Sequence, residues 1–183
     1  MSKAAILIAD GCEECEALIQ VDMLRRAGID IDMVSITGNR QVTSARDITF
    51  ICDRILSDFD ADAYDAVILP GGMPGTIHLK EDARVISLIK KFNSDKKLVA
   101  AICAAPTVLG YAGILKGRNA TCYPGMEDGL TGATKKTDPV VRDGNIITSR
   151  GLGTALAFAG AIIEYLTDAP TAKRVLDGVV YKN

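Results

Sequence analysis

Leu98-Val99-Ala100-Ala101-Ile102-Cys103-Ala104-Ala105-Pro106 is the stretch whose reading decides the fold. Leu98 to Ile102 are apolar or small and carry no charge, the pattern of a short strand buried on both faces of a parallel sheet. Ala104 and Ala105 are good helix formers, and Pro106 is tolerated in a first helical turn. Thr107 to Ala112 continue as a small, apolar helix that Gly113 ends. Cys103 therefore stands at a tight strand-to-helix turn, which lifts a side chain at a sheet edge beside unbonded backbone N–H groups. A thiol there feels the positive end of a helix, so the expectation is a lowered pKa and a reactive thiolate. A cysteine in an apolar run is equally well a buried structural residue. On this stretch alone both readings stand.

The neighbouring segments repeat the strand-then-helix pattern. Lys3 to Ala9 reads as a buried strand, Asp10-Gly11-Cys12 as a turn, and Glu13 to Ala27 as a helix with its apolar stripe at Ala17, Val21 and Leu24 and its stop at Gly28. Ile29 to Ile36 is a second strand, and Gln41 to Ile55 mixes short β-like runs. Tyr64 to Leu69 is a strand that runs into Pro70-Gly71-Gly72-Met73-Pro74-Gly75, and Val85, Leu88, Ile89 and Phe92 predict a helix over about residues 80–93. Beyond the central stretch, Asn119 to Tyr123 reads as a strand, and Asp143-Gly144 as a two-residue hairpin turn. Ser149 to Gly153 is a further glycine-rich passage, followed by helices over residues 155–166 and 170–177. Alternating strands and helices predict an α/β single domain, a doubly wound, mostly parallel sheet with helices on both faces. In such sheets sites form beyond the carboxyl ends of the strands, where four turns carry unusual chemistry: Asp10 to Glu16, Pro70 to Gly75, Ile102 to Pro106 and Ser149 to Gly153.

Composition narrows the function classes. A chain of 183 residues, 48% hydrophobic and 24% charged, has the makeup of a globular protein with a sizeable core. A net charge of −2 offers no electrostatic footprint for nucleic acid or an anionic membrane, and no apolar run reaches spanning length. Five irregularly spaced cysteines (Cys12, Cys15, Cys52, Cys103, Cys122) with no export signal point to free thiols in a reducing, cytoplasmic compartment. Cys12 and Cys15 have redox-motif spacing but lack its usual context. The first turn lacks a dinucleotide fingerprint, no phosphate loop occurs, and no second Cys/His pair exists for zinc, so no metal or organic cofactor is expected.

A nucleophilic thiol needs a proton carrier and oxyanion donors. The first turn offers Glu13, Glu14 and Glu16. Glu13 and Glu14 read as solvated residues complementing a helix start. Glu16, beside the apolar stripe, points back toward the sheet edge, where burial raises a carboxyl pKa toward neutrality. Gly71 and Gly72 permit close backbone approach to a small substrate. His78, the single histidine, reads as a surface residue.

Together these segments resemble the ThiJ/PfpI superfamily, in the branch of the Parkinson's-disease-associated protein deglycase and its bacterial relatives. The resemblance rests on Asp10 to Glu16 followed by Val21 to Gly28, on Tyr64 to Gly72, on Ala100 to Pro106 and on Ile147 to Gly151, and it runs from about residue 3 to 180. It implies a flavodoxin-like fold and a homodimer, with Cys103 as nucleophile, Glu16 as its acidic partner, and the backbone around Gly72 and Ala104 as oxyanion pocket. It also implies glutathione-independent turnover of a small reactive carbonyl substrate such as methylglyoxal, or removal of early glycation adducts. A redox-sensing or chaperone role for an oxidisable Cys103 is the alternative. Cys52 falls where the family has a cysteine near its dimer contact. One departure stands out: Thr121-Cys122-Tyr123-Pro124 carries Tyr123 where many members have a histidine. A Cys-His-acid triad is therefore not available there, and peptidase activity is not expected.

Overall fold

The computed structural model describes residues 2–182. The strands are β1 (Lys3–Ile8), β2 (Asp30–Ser35), β3 (Gln41–Thr43), β4 (Thr49–Ile51), β5 (Arg54–Ile55), β6 (Ala66–Leu69), β7 (Leu98–Ile102), β8 (Asn119–Ala120), β9 (Thr134–Lys135), β10 (Val140–Asp143) and β11 (Ile146–Ser149). The helices are α1 (Glu14–Arg26), α2 (Gly75–Glu81), α3 (Ala83–Ser94), α4 (Pro106–Tyr111), α5 (Ala155–Leu166) and α6 (Ala169–Gly178). Seven strands form one sheet in the order β10-β11-β7-β6-β1-β2-β5, parallel throughout except where β10 turns back on β11. Restricted to β2-β1-β6-β7-β11, this is the flavodoxin-like order, with its switch point at β1 and β6.

The apolar runs become central strands because both their faces are covered. Successive side chains in β1 alternate: Ala4, Ile6 and Ile8 pack toward α1, α5 and α6, while Ala5 and Leu7 pack toward α2, α3 and α4. The same alternation in β7 sends Leu98, Ala100 and Ile102 to the first face and Val99 and Ala101 to the second. Phe158, Ile162 and Ile163 seal one layer, and Phe92, Ile89 and Val85 the other.

Four sequence expectations are corrected. The helix expected over residues 80–93 is two helices, α2 and α3, broken at Asp82, which adopts an extended conformation and caps α3 through its side chain. The expected strand from Asn119 to Tyr123 is only Asn119–Ala120, paired with β9 outside the main sheet; Thr121 N instead donates to the Thr148 hydroxyl (3.0 Å). The hairpin turn is Gly144-Asn145, one residue later than Asp143-Gly144, because Asp143 pairs with Ile146. Gly144 alone takes positive φ (60°), as a type II′ turn asks of its first central residue. Lastly, Glu14 is buried, not solvated: it lies three residues before Ala17, on the same packed stripe of α1. Among the described residues, no helix is long and apolar enough to cross a membrane.

Candidate active site

Three parallel strands, β1, β6 and β7, end side by side, so the turns that follow them meet. They are locked backbone to backbone: Glu13 N donates to Gly71 O (2.8 Å) and Gly75 N to Gly11 O (3.0 Å). A Cβ on Gly72 would lie 2.2 Å from Glu13 N, and Gly72 has φ +90°, so no other residue fits that turn without moving it. A Cβ on Gly71 would stand 2.6 Å from the Cys103 Cβ and 2.7 Å from Glu16 Oε2. Glycine at 71 is what lets the thiol and the carboxyl meet over this turn.

Cys103 itself has φ 63°, the left-handed region that a side chain enters only at a cost of roughly 1–2 kcal/mol. That conformation interrupts the alternation of β7. Continued regularly, the strand would aim residue 103 at the face of Val99 and Ala101; instead Cys103 packs with Ile102 on the α1 face. There it meets Glu16. The turn is held by Cys103 N donating to Ser149 O (3.0 Å) and Tyr123 N donating to Cys103 O (2.8 Å).

Glu16 is 1% exposed. Its carboxyl accepts from Gly71 N (3.0 Å) and from the Leu152 amide, and it is hydrogen-bonded to the Cys103 thiol. Burial pushes its pKa up to about 7, against the pull of the thiol and those amides. The Cys103 thiol does not have the lowered pKa expected from the sequence. Burial, with the charge and hydrogen bond of Glu16, pushes it up to about 12, and the amides of Ala104 and Gly72 pull only partly the other way. The six-residue α4 adds little against a desolvated carboxylate in direct contact. Two such groups share protons: once one has been lost, a single negative charge is divided between sulfur and carboxyl. The pair is thus a thiol with a carboxylate or a thiolate with a carboxylic acid.

All five residues expected at the site come together: Cys103, Glu16, Gly71, Gly72 and Ala104. The fourth turn joins them through Leu152 N, a backbone donor that no side-chain pattern announces. Tyr123, 51% exposed, lies over the same turn, since a Cβ on Gly151 would be 3.5 Å from its ring and 3.9 Å from Glu16 Oε1. His78 is exposed, with Nδ1 2.8 Å from Asp10 O, and it is absent from the groups that shift the thiol. Cys12, Cys52 and Cys122 are buried; Cys15 is exposed on α1, and all five cysteines are free.

Residues 2–165 match the DJ-1/PfpI family. The chain belongs to the DJ-1/PfpI family. It is 41% identical over 183 residues to Protein dj-1beta of Drosophila melanogaster, covering 98% of each chain. It is 33% identical to Deglycase TK1284 of Thermococcus kodakarensis, covering 90% of this chain and 99% of that one. The crystal structure of Drosophila melanogaster DJ-1beta superimposes with a TM-score of 0.94 at 38% identity over the whole of both chains. The elbow with its facing carboxyl is thus built on a DJ-1/PfpI scaffold along its full length.

Proposed function

We propose that this DJ-1/PfpI protein is a cofactor-free, cysteine-dependent enzyme that converts α-oxoaldehydes such as methylglyoxal to 2-hydroxy acids, or removes their early adducts. The observation that carries the reading is the Cys103–Glu16 pair, one shared proton between a half-buried thiol and a carboxyl tuned to about 7, beneath the amides of Gly72 and Ala104. A proton carrier works best when its pKa lies near the working pH.

With the shared proton on Glu16, the Cys103 thiolate adds to the aldehyde carbon, forming the S–C bond. The oxygen left behind is stabilised by the two amides and takes up the Glu16 proton, giving a hemithioacetal. The Glu16 carboxylate then removes the hydrogen on that carbon as a proton. An enediolate results; Glu16 returns the proton to the neighbouring carbon while the hydroxyl proton of the sulfur-bearing carbon passes to the neighbouring oxygen, giving a thioester of the 2-hydroxy acid. Water cleaves the S–C bond, releasing the acid and restoring the thiol. The net change is addition of one water, with no external oxidant or reductant. Tyr123 takes no step in this sequence.

The test is lactate formation from methylglyoxal by freshly reduced protein and by Cys103→Ser. Turnover should be present in the first and abolished in the second. Absence of lactate in the reduced wild type would remove the enzymatic reading. The redox-sensing alternative draws on the same geometry, since a carboxyl that keeps a proton near neutrality can hydrogen-bond an oxidised sulfur. It predicts no lactate, with Cys103 gaining oxygen under mild peroxide before the other thiols.

A further inference from the structure

Glu16 is 1% exposed although each of its carboxyl oxygens faces a glycine, which has no side chain to cover it. Oε2 faces Gly71, where a Cβ would stand 2.7 Å away, and the Cβ and Sγ of Cys103 close that side. Oε1 faces Gly151, where a Cβ would stand 3.9 Å away. The cover on this second side is the Tyr123 ring, whose Cδ2 and Cε2 lie 3.5 and 3.9 Å from the same point above Gly151. Gly151 is itself buried.

Core packing does not account for where this ring stands. Tyr123 belongs to neither of the two hydrophobic clusters that line the faces of the sheet, and its side is half open to solvent. Its main chain, in contrast, is pinned. Thr121 N donates to the Thr148 hydroxyl (3.0 Å), Tyr123 N to Cys103 O (2.8 Å) and Met126 N to Tyr123 O (3.1 Å), and Cys122 between them is buried. The ring is thus carried by the elbow that it covers.

Few groups act on the Glu16 carboxyl. Burial pushes its pKa up, the Cys103 thiol and the amides of Gly71 and Leu152 pull it down, and Glu13 on its own helix pushes it up. No basic side chain is among them. Arg150, in the neighbouring turn, reaches instead to Thr137 O (2.9 Å), and Glu127, beyond Tyr123, accepts from Gly125 N (2.8 Å). Burial is the largest of these influences, so the carboxyl keeps a proton near neutrality only while water is kept from it.

We propose that Tyr123 is a positioning residue for the Cys103–Glu16 pair: its ring keeps water from the outer carboxyl oxygen, so that the shared proton can rest on Glu16 and the charge on sulfur. Water admitted there would solvate the carboxylate, draw the negative charge onto it and return the proton to the thiol. The covering is done by the ring, and the phenol takes no part. The inference rests on the enzymatic reading for its consequence in turnover, while the state of the pair itself is measured without turnover.

The test is the titration of the Glu16 carboxyl by NMR, on reduced protein labelled at the glutamate side chains, with the Glu16 signal assigned by its loss in Glu16→Gln. The midpoint near pH 7 should fall by about one unit or more in Tyr123→Ala and stay in place in Tyr123→Phe. An unmoved midpoint in Tyr123→Ala overturns the inference. So does an equal fall in Tyr123→Phe, which would assign the effect to the hydroxyl. The ring lies outside both clusters, so its removal should leave the fold intact; Tyr123→Leu, which keeps part of the apolar cover, should lie between the two. Iodoacetamide labelling of Cys103 across pH gives a second reading, and its midpoint should fall with that of the carboxyl in Tyr123→Ala. Faster labelling at every pH with an unmoved midpoint would mark a merely steric screen and overturn the proposal. Lactate formation separates this inference from the reading it rests on. A lowered midpoint with no lactate from wild type removes the enzyme and leaves the covering role; lactate with an unmoved midpoint does the reverse.

Discussion

Glu16 is the residue where environment departs furthest from type. A carboxyl with an ordinary pKa of 4.5 is held at about 7 because it is buried, against the pull of the thiol and amides around it. The folded chain therefore binds a proton that the unfolded chain has lost, and the associated stability is present in full below about pH 4.5 and is lost as pH rises through about 7. Above that range the protein holds a desolvated negative charge. Glu16→Gln removes it, so the variant should melt higher than wild type at pH 8, by a margin of about 3 kcal/mol that shrinks to nothing near pH 4.5. Its turnover should fall roughly 10²–10⁴-fold, since glutamine carries no proton. Its Cys103 should nonetheless alkylate faster than in wild type, because the charge that raises the thiol is gone. Calorimetry, lactate production and iodoacetamide mapping read the three effects; near-normal lactate in the variant would take Glu16 out of the mechanism. Gly71 is the second informative position. In Gly71→Ala the new methyl group would press on both the Cys103 Cβ and Glu16 Oε2, so kcat/KM should drop more than tenfold and stability by roughly 1–3 kcal/mol, measured by urea titration.

At the scale of elements, the break between α2 and α3 matters most. The apolar spacing of Val85, Leu88, Ile89 and Phe92 identifies α3, but α2 has only seven residues and begins after Pro74, too short to show a period of its own. The signal that marks the boundary is Asp82, whose side chain accepts from Arg84 N (2.8 Å) as an N-cap. Asp82→Ala should destabilise the protein by about 1 kcal/mol, read as a lowered melting temperature at pH 7. Arg84 beside it holds the Asp82 carboxyl below its usual value of 3.8. The contribution is therefore present above that pH and fades as pH falls toward the lowered value, so variant and wild type should converge at low pH. The elbow is the opposite case, since the apolar run of β7 and the Ala-Ala-Pro that follows announce both strand and helix.

For the whole molecule, one apolar face is left open. Cys15, Leu18, Ile19 and Met23 on α1 form, with Leu156 and Val179, a groove of about 390 Å³. We propose that a second copy of the chain covers it. Light scattering at micromolar concentration should then give about twice 19.4 kDa, and Leu18→Glu should shift the mass toward one chain. A wild-type mass of 19.4 kDa would rule the dimer out.

By itself the sequence determined the strand-helix alternation, the parallel sheet and the turns at its carboxyl edge, because these follow from local periodicity and from glycine and proline chemistry. Cys103, Gly71, Gly72 and Ala104 were legible as candidates for the same reason, each sitting in a turn whose residue types are unusual, and Glu16 was legible from its place in the first turn of α1 beside the apolar stripe. The raised pKa of Glu16 was legible from its place beside the apolar stripe, but the thiol's side of the proton balance was not. A helix start lowers a thiol pKa, whereas burial and a contacting carboxyl raise it, and only the packed structure sets the distance and desolvation that decide between them. The same holds for the direction in which Cys103 points. Its positive φ is imposed by bonds to Ser149 and Tyr123, residues 46 and 20 positions away in the chain, and no local pattern carries information about partners so remote.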